Sequence, residues 1–147
     1  MKLLNEMELC FESRSSNESF ARSAVAAFIA QLDPTVSELN DVKTAVSEAV
    51  TNCVVHAYKN TIGRITIQVR LMEDGQVVLK IRDRGCGIED VHKAMEPLYT
   101  TAPGEERAGL GFAVMQSFTD QVQVRSVVGK GTTVTLKKRL SRRVSNG

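Results

Sequence analysis

The stretch Glu48-Ala49-Val50-Thr51-Asn52-Cys53-Val54-Val55-His56 carries two patterns at once. Its apolar residues extend a stripe that begins at Leu39 and passes through Val42, Ala45, Val46, Ala49 and Val50 to Cys53, the spacing of an amphipathic helix. Beside that stripe, Glu48, Asn52 and His56 succeed one another at intervals of four. Four residues advance a helix by about 6 Å and return to nearly the same face. One face can therefore pack while the adjoining row presents a carboxylate, an amide and an imidazole. A carboxylate can take a proton or orient a hydroxyl, and an amide oxygen is a hard ligand that suits a magnesium ion carrying phosphate oxygens. Taken alone, a solvated helix face would also account for the row.

Working outward, Thr35-x-x-Glu38 is a capping-box pattern that opens this helix, which the stripe carries to about Tyr58. An earlier helix is predicted from Asn17 to Leu32, where Asp33-Pro34 stops it, and alternating Met7, Leu9 and Phe11 predict a first strand. Downstream, Ile65, Ile67, Val69 and Leu71 alternate with Arg64, Thr66, Gln68 and Arg70. Glu73-Asp74-Gly75 then supplies a hairpin turn, and Val77 to Arg82 forms a strand that ends at Asp83. Residues 84–110 have little periodicity, and a loop of that length in a compact domain is usually functional. A short helix over Leu110–Phe118 and two strands, Val122–Val127 and Thr132–Leu140, complete the chain. The order β-α-α-β-β-loop-α-β-β predicts one domain over residues 1–147: a two-layer α/β sandwich whose mixed, largely antiparallel sheet carries helices on one face. The regular strand–helix alternation of a doubly wound fold is missing, and so is GxxxxGK[ST], which excludes a P-loop.

Composition narrows the function classes. The 147 residues are 42% hydrophobic and carry a net charge of +2, from 19 Lys and Arg against 17 Asp and Glu, too even a balance for a nucleic-acid field. The basic residues Lys137, Lys138, Arg139, Arg142 and Arg143 cluster near the C-terminus and are expected to form a solvated tail, residues 137–147. Cys10, Cys53 and Cys86 are odd in number and widely spaced, so neither a disulfide framework nor a zinc site is indicated. Cys53 and Cys86 are expected to be buried packing residues. No apolar run spans a bilayer and no signal peptide is visible, so a cytoplasmic protein without a membrane partner is expected.

Three further clusters accompany the helix row. Asp83-Arg84-Gly85-Cys86-Gly87 falls where a strand ends, a place for an acidic acceptor beside backbone that can approach a ligand closely. Gly109-Leu110-Gly111 precedes a short helix, whose free N–H groups favour phosphate. Gly131-Thr132-Thr133 opens the last strand. Singly, a turn or a hairpin explains each of them. All four together, in this order, resemble the N, G1 and G2 boxes and the final strand of the GHKL (Bergerat-fold) ATPases. Within that superfamily the chain is similar to the anti-sigma-factor serine kinases. The closer match lies in Asn17-Glu18-Ser19-Phe20-Ala21-Arg22, Phe28 to Thr35, Ser47 to Asn52 and Pro97-Leu98-Tyr99-Thr100-Thr101.

The resemblance implies roles for particular residues. Asn52 would bind the Mg2+ that bridges the phosphates of ATP or ADP. Glu48 would act as general base or orient the attacking hydroxyl, and His56 would either border the nucleotide or pack at the helix end. Asp83 would accept the adenine amino group, Gly85 and Gly87 would leave room for the base, and Thr133 or Thr132 would complete the contacts. Gly109, Leu110 and Gly111 would aim N–H groups at the phosphates beneath a lid over residues 88–108. That lid includes Thr100, and Arg107 would neutralise the transferred group. Ala102 stands where the family commonly has Lys, so a lid contact from that position is absent. The implied function is transfer of the ATP γ-phosphate to a serine of an anti-anti-sigma protein, with sequestration of a sporulation sigma factor, by a homodimer that binds no nucleic acid. A non-catalytic, nucleotide-gated sigma-binding module and an isolated ATP-binding domain of a histidine kinase are the alternatives. The second of these would need an acceptor histidine, and the chain has only His56 and His92. Glu18 and Arg22 mark a polar face of the first helix where a partner could dock.

Overall fold

The computed structural model describes residues 2–96 and 111–141. Strand β1 (Leu3–Glu12) leads into helix α1 (Ser16–Ile29), which tightens into a 3-10 turn over Ala30–Leu32. Asp33 then adopts a left-handed conformation, φ 51°, and ends the run. Helix α2 (Val36–Asn52) begins with the predicted capping box. The Thr35 side chain accepts from Glu38 N–H at 3.0 Å, and the Glu38 carboxylate accepts from Thr35 N–H at 2.8 Å. Two of the orphan donors of the first turn are satisfied in this way. The α-helical pattern stops at Asn52, and Cys53–Ala57 form a π-helical turn before the chain leaves at Tyr58. Such widened turns are frequent at functional sites.

Strands β2 (Arg64–Met72) and β3 (Gln76–Asp83) form a hairpin turned at Gly75, φ +89°. Helix α3 (Val91–Ala94) is a single turn inside the region expected to be all loop. Helix α4 (Phe112–Phe118) and the hairpin of β4 (Gln121–Val127) and β5 (Gly131–Arg139) follow. The sheet order is β1-β2-β3-β5-β4, and every pairing is antiparallel. The expectation of a mixed sheet thus resolves to a fully antiparallel one among the described strands.

Alternation decides the layers. Ile65, Ile67, Val69 and Leu71 of β2, Val77, Leu79 and Ile81 of β3, and Val134 and Leu136 of β5 are buried on one face. Against them lie Ala21, Val25 and Ile29 of α1, the Val42–Val50 stripe of α2, and Phe112 and Met115 of α4. Burying each large aliphatic side chain contributes about 1.5–3 kcal/mol. The stripe of α2 therefore fixes which way the helix is rolled, and with it where Asn52 and His56 point. The opposite face of the sheet carries Arg70, Lys80, Arg82, Arg125 and Lys137 along a groove.

Three residues of the basic cluster lie within the sheet and do not form a free tail. Lys137, Lys138 and Arg139 belong to β5, and Lys138, only 13% exposed at its side chain, pairs with Asp41 at 3.3 Å and donates to Phe118 O. Arg139 pairs with Asp74. Arg142 and Arg143 lie outside the described residues.

Candidate functional site

Where β3 ends, Tyr58 holds the chain against the end of α2. Its hydroxyl donates to Arg64 O at 2.6 Å and accepts Arg84 N–H at 2.7 Å. The backbone of Cys86 donates to Ala57 O at 3.0 Å. This close approach is why residue 85 has no side chain: a Cβ there would stand 2.3 Å from the Ala57 carbonyl oxygen. Gly87 adopts φ +79°, and a Cβ on it would meet Val127 O at 2.5 Å. The β4–β5 turn clasps the same loop, with Gly129 N–H donating to Cys86 O and Ser126 Oγ accepting Ile88 N–H at 2.7 Å. Helix end, strand end and hairpin tip thus meet around one loop.

Between them lies a cavity of about 630 Å³. Asn52, Cys53, His56 and Lys59 line it from the helix side, Asp83, Cys86 and Gly87 from the end of β3, and Thr132 and Val134 from β5. Phe112, Ala94 and Lys93 close its far side, with Glu89 and Asp90 at the loop. Asn52 and His56 of the helix row and the strand-end aspartate, far apart in sequence, line one chamber.

Asp83 is 6% exposed. Its Oδ1 accepts Gly85 N–H at 2.9 Å and its Oδ2 accepts the Cys53 thiol at 3.5 Å. Burial raises its pKa, while those donors and the Thr132 backbone pull the other way without cancelling the rise. Burial, followed by the Asp83 charge, pushes the Cys53 thiol well up, so it stays protonated. Burial also raises the Tyr58 phenol.

Asn52 is the second anchor. It is 9% exposed, and both Oδ1 and Nδ2 are buried with no hydrogen-bond partner among the described residues. A buried amide left so costs about 1–3 kcal/mol per group, which few positions in a fold tolerate without a use. No group of three His, Cys, Asp or Glu among the described residues could cage a metal by itself. One hard amide oxygen facing a polar chamber instead suits Mg2+, which takes few protein ligands and shares phosphate oxygens.

The remaining expected residues are placed less uniformly. Glu48 is half-buried one turn before Asn52 and is not among the residues lining the cavity. Gly111, at φ +71°, is the N-cap of α4. Thr132 is paired directly with Asp83 across β3 and β5, so their side chains share a face; Thr133 is paired with Arg82 and lies on the opposite groove. Thr133 is thereby removed from the chamber and Thr132 kept. Cys86 is exposed at the rim, which corrects the expectation that it is buried, whereas Cys53 is buried as expected. Thr100, Arg107, Gly109 and Leu110 lie outside the described residues. Sequence reading missed Tyr58, Ser126 and the polar use of Cys53, because each acts through partners remote in the chain.

The histidine kinase-like ATPase domain family matches residues 11–138. An anti-sigma F factor of Caldanaerobacter subterraneus subsp. tengcongensis is 58% identical over 142 residues, 97% of this chain and 99% of that protein. One from Geobacillus stearothermophilus is 56% identical over 134 residues, 91% and 92% of the two chains, and one from Clostridium acetobutylicum 52% over 139 residues, 95% and 96%. Among solved structures, the RsbU and RsbW domains of a Mycobacterium tuberculosis protein superpose with TM-score 0.70 at 23% identity, over 95% of this chain and 34% of that one. The blue-light activated histidine kinase of Erythrobacter litoralis gives 0.60 at 21%, over 82% and 41%. Likeness at that identity concerns the fold alone.

Proposed function

The chain belongs to the histidine kinase-like ATPase domain family, alongside the anti-sigma F factors, and from that premise we propose that it is an anti-sigma factor and ATP-dependent protein-serine kinase. The observation that carries the proposal is the Asn52 amide, buried and unpartnered among the described residues, in the same chamber as the buried Asp83 carboxylate. Asp83 accepts the exocyclic amino group of adenine, which guanine replaces with a carbonyl. Thr132 and the glycines of the strand-end loop border the base. Asn52 would hold Mg2+, which when bound would supply charge neutralisation at the phosphates. The substrate is a serine of a small anti-anti-sigma protein. Glu48 orients the serine hydroxyl and takes its proton as the oxygen bonds to the γ-phosphorus; the bond to the bridging oxygen breaks and ADP leaves. Positioning and charge neutralisation suffice for such a reaction. Arg107 and the Gly109–Gly111 segment are assigned to the γ-phosphate by resemblance alone. The same chain sequesters a sporulation sigma factor of the F type while unphosphorylated antagonist is scarce, as a homodimer for which the exposed edge of β1 offers a surface.

Incubation with γ-labelled ATP, Mg2+ and the anti-anti-sigma protein tests this reading. Acid-stable label on the antagonist is expected. Label lost in acid would point to phosphohistidine, and an unlabelled antagonist with sigma capture intact would reduce the chain to a binding module. Glu48→Ala is expected to keep ATP binding and to lose transfer by about 10²-fold or more, while Asn52→Ala weakens both.

A further inference from the structure

Asp83 is held by donors of two kinds. Gly85 and Thr132 donate from the backbone, which no substitution can tune. Among the described residues the remaining donor is a side chain, the thiol of Cys53, 3.5 Å from Oδ2. Cys53 is itself buried and lines the same cavity as Asp83 and the unpartnered Asn52 amide. Its place at the end of α2 explains the geometry. Cys53 keeps helical dihedrals, φ −64° and ψ −45°, and its N–H bonds Ala49 O, so it continues the apolar stripe, whose last position carries its sulfur to the end of β3.

We propose that Cys53 is a positioning residue for the nucleotide base, its S–H fixing the Asp83 carboxylate so that an oxygen faces the cavity ionised and ready to accept an amino group. The inference rests on the nucleotide reading given above. A thiol suits the task because it satisfies a buried oxygen yet, as a weak donor, withdraws little of the charge that must attract the base. Without that donor Oδ2 loses a partner in a desolvated place, and the carboxylate takes up a proton at higher pH. A protonated Asp83 presents a donor to the adenine amino group, and binding fails.

Other ionisable groups face the same chamber: His56 and Lys59 from the helix side, Cys86, Glu89 and Asp90 from the loop, and Lys93 from α3, while Tyr58 stands behind Asp83. Their contributions are common to every variant of residue 53, so the comparison among variants isolates the thiol.

The experiment is titration of ADP and Mg2+ into the full chain from pH 5 to 8.5 for wild type, Cys53→Ser, Cys53→Val and Cys53→Ala, with melting temperatures measured alongside. Valine retains the bulk without the donor, serine retains a donor, and alanine covers the case in which valine does not fold. In Val and Ala, affinity at neutral pH is expected to fall about fivefold, the worth of one hydrogen bond, and the acid limb of the affinity profile to shift to higher pH. Serine is expected to restore both, whatever happens to its melting temperature. An acid limb unchanged in Val and Ala, with only stability altered, overturns the proposal and leaves Cys53 a packing residue. Absence of ADP binding in the wild type, or binding by Asp83→Asn equal to wild type, overturns instead the nucleotide reading beneath it.

Discussion

Asp83 is a charge that folding makes harder to keep. Its pKa is raised, so the native state holds the proton more tightly than the unfolded chain does, and stability falls as pH climbs from the ordinary carboxylate range through the raised value. Asp83→Asn is therefore expected to melt no lower than wild type at neutral pH without ligand, with the gap closing on acidification, while the ligand-dependent rise in melting temperature disappears. Thermal melts across a pH series with and without ADP measure both effects. Thiol chemistry gives a second check. Cys10 and Cys86 are exposed and Cys53 is buried with its proton held, so a disulfide reagent is expected to label two thiols quickly and the third only on unfolding. Nucleotide is expected to slow labelling of Cys86 and to leave Cys10 unaffected. At this scale the sequence was legible where side chains lie along one element: the four-residue spacing put Asn52 and His56 on one helix face, and both line the chamber. The Cys53–Asp83 bond and the choice of Thr132 over Thr133 depend on a helix end and a strand register, which no local pattern encodes.

At the scale of elements, the start of α2 is tied twice. The Glu38 carboxylate caps Thr35 and also accepts Ser141 N–H beyond β5. Burial acts to raise its pKa, but the backbone donors of Thr35 and Ser141 outweigh it and lower the value to about 2. Folding has lowered this pKa, so the stabilisation is present above the ordinary carboxylate value and is lost as pH falls towards about 2. Thr35→Ala is expected to cost about 1 kcal/mol in urea unfolding, and Glu38→Gln to flatten the acid limb of stability. Glycines separate packing from strain in the same way. Gly85→Ala drives a Cβ into the Ala57 carbonyl and is expected to cost about 3 kcal/mol. Gly129→Ala meets nothing within 4 Å and bears only the left-handed φ of +81°, about 1 kcal/mol. The boundaries of α1, α2 and the β2–β3 hairpin were readable from periodicity. The anchoring of Lys138 was not, because it finds Asp41 across 97 positions of sequence.

At the scale of the molecule, three pieces of chain distant in sequence must converge before any chamber exists, so binding and folding are linked. Ligand at about a hundredfold over its dissociation constant is expected to add about 2.7 kcal/mol of stability, a gain that Asn52→Ala reduces and Asp83→Asn abolishes in denaturant titrations. Among the described residues no helix is long and apolar enough to cross a membrane. The layered arrangement itself was legible, because strand alternation and helical stripes each declare a buried face. Which face of the sheet received the helices also followed, since only one is apolar.

The hairpin tip that grips the strand-end loop lies outside the chamber, and Val128 at its apex is 63% exposed. Gly129 N–H and Ser126 Oγ link that tip to the backbone at Cys86 and Ile88. A fluorophore carried at position 128 would thus sit on an antenna wired to the base pocket, reporting occupancy through its emission while leaving the walls of the pocket untouched.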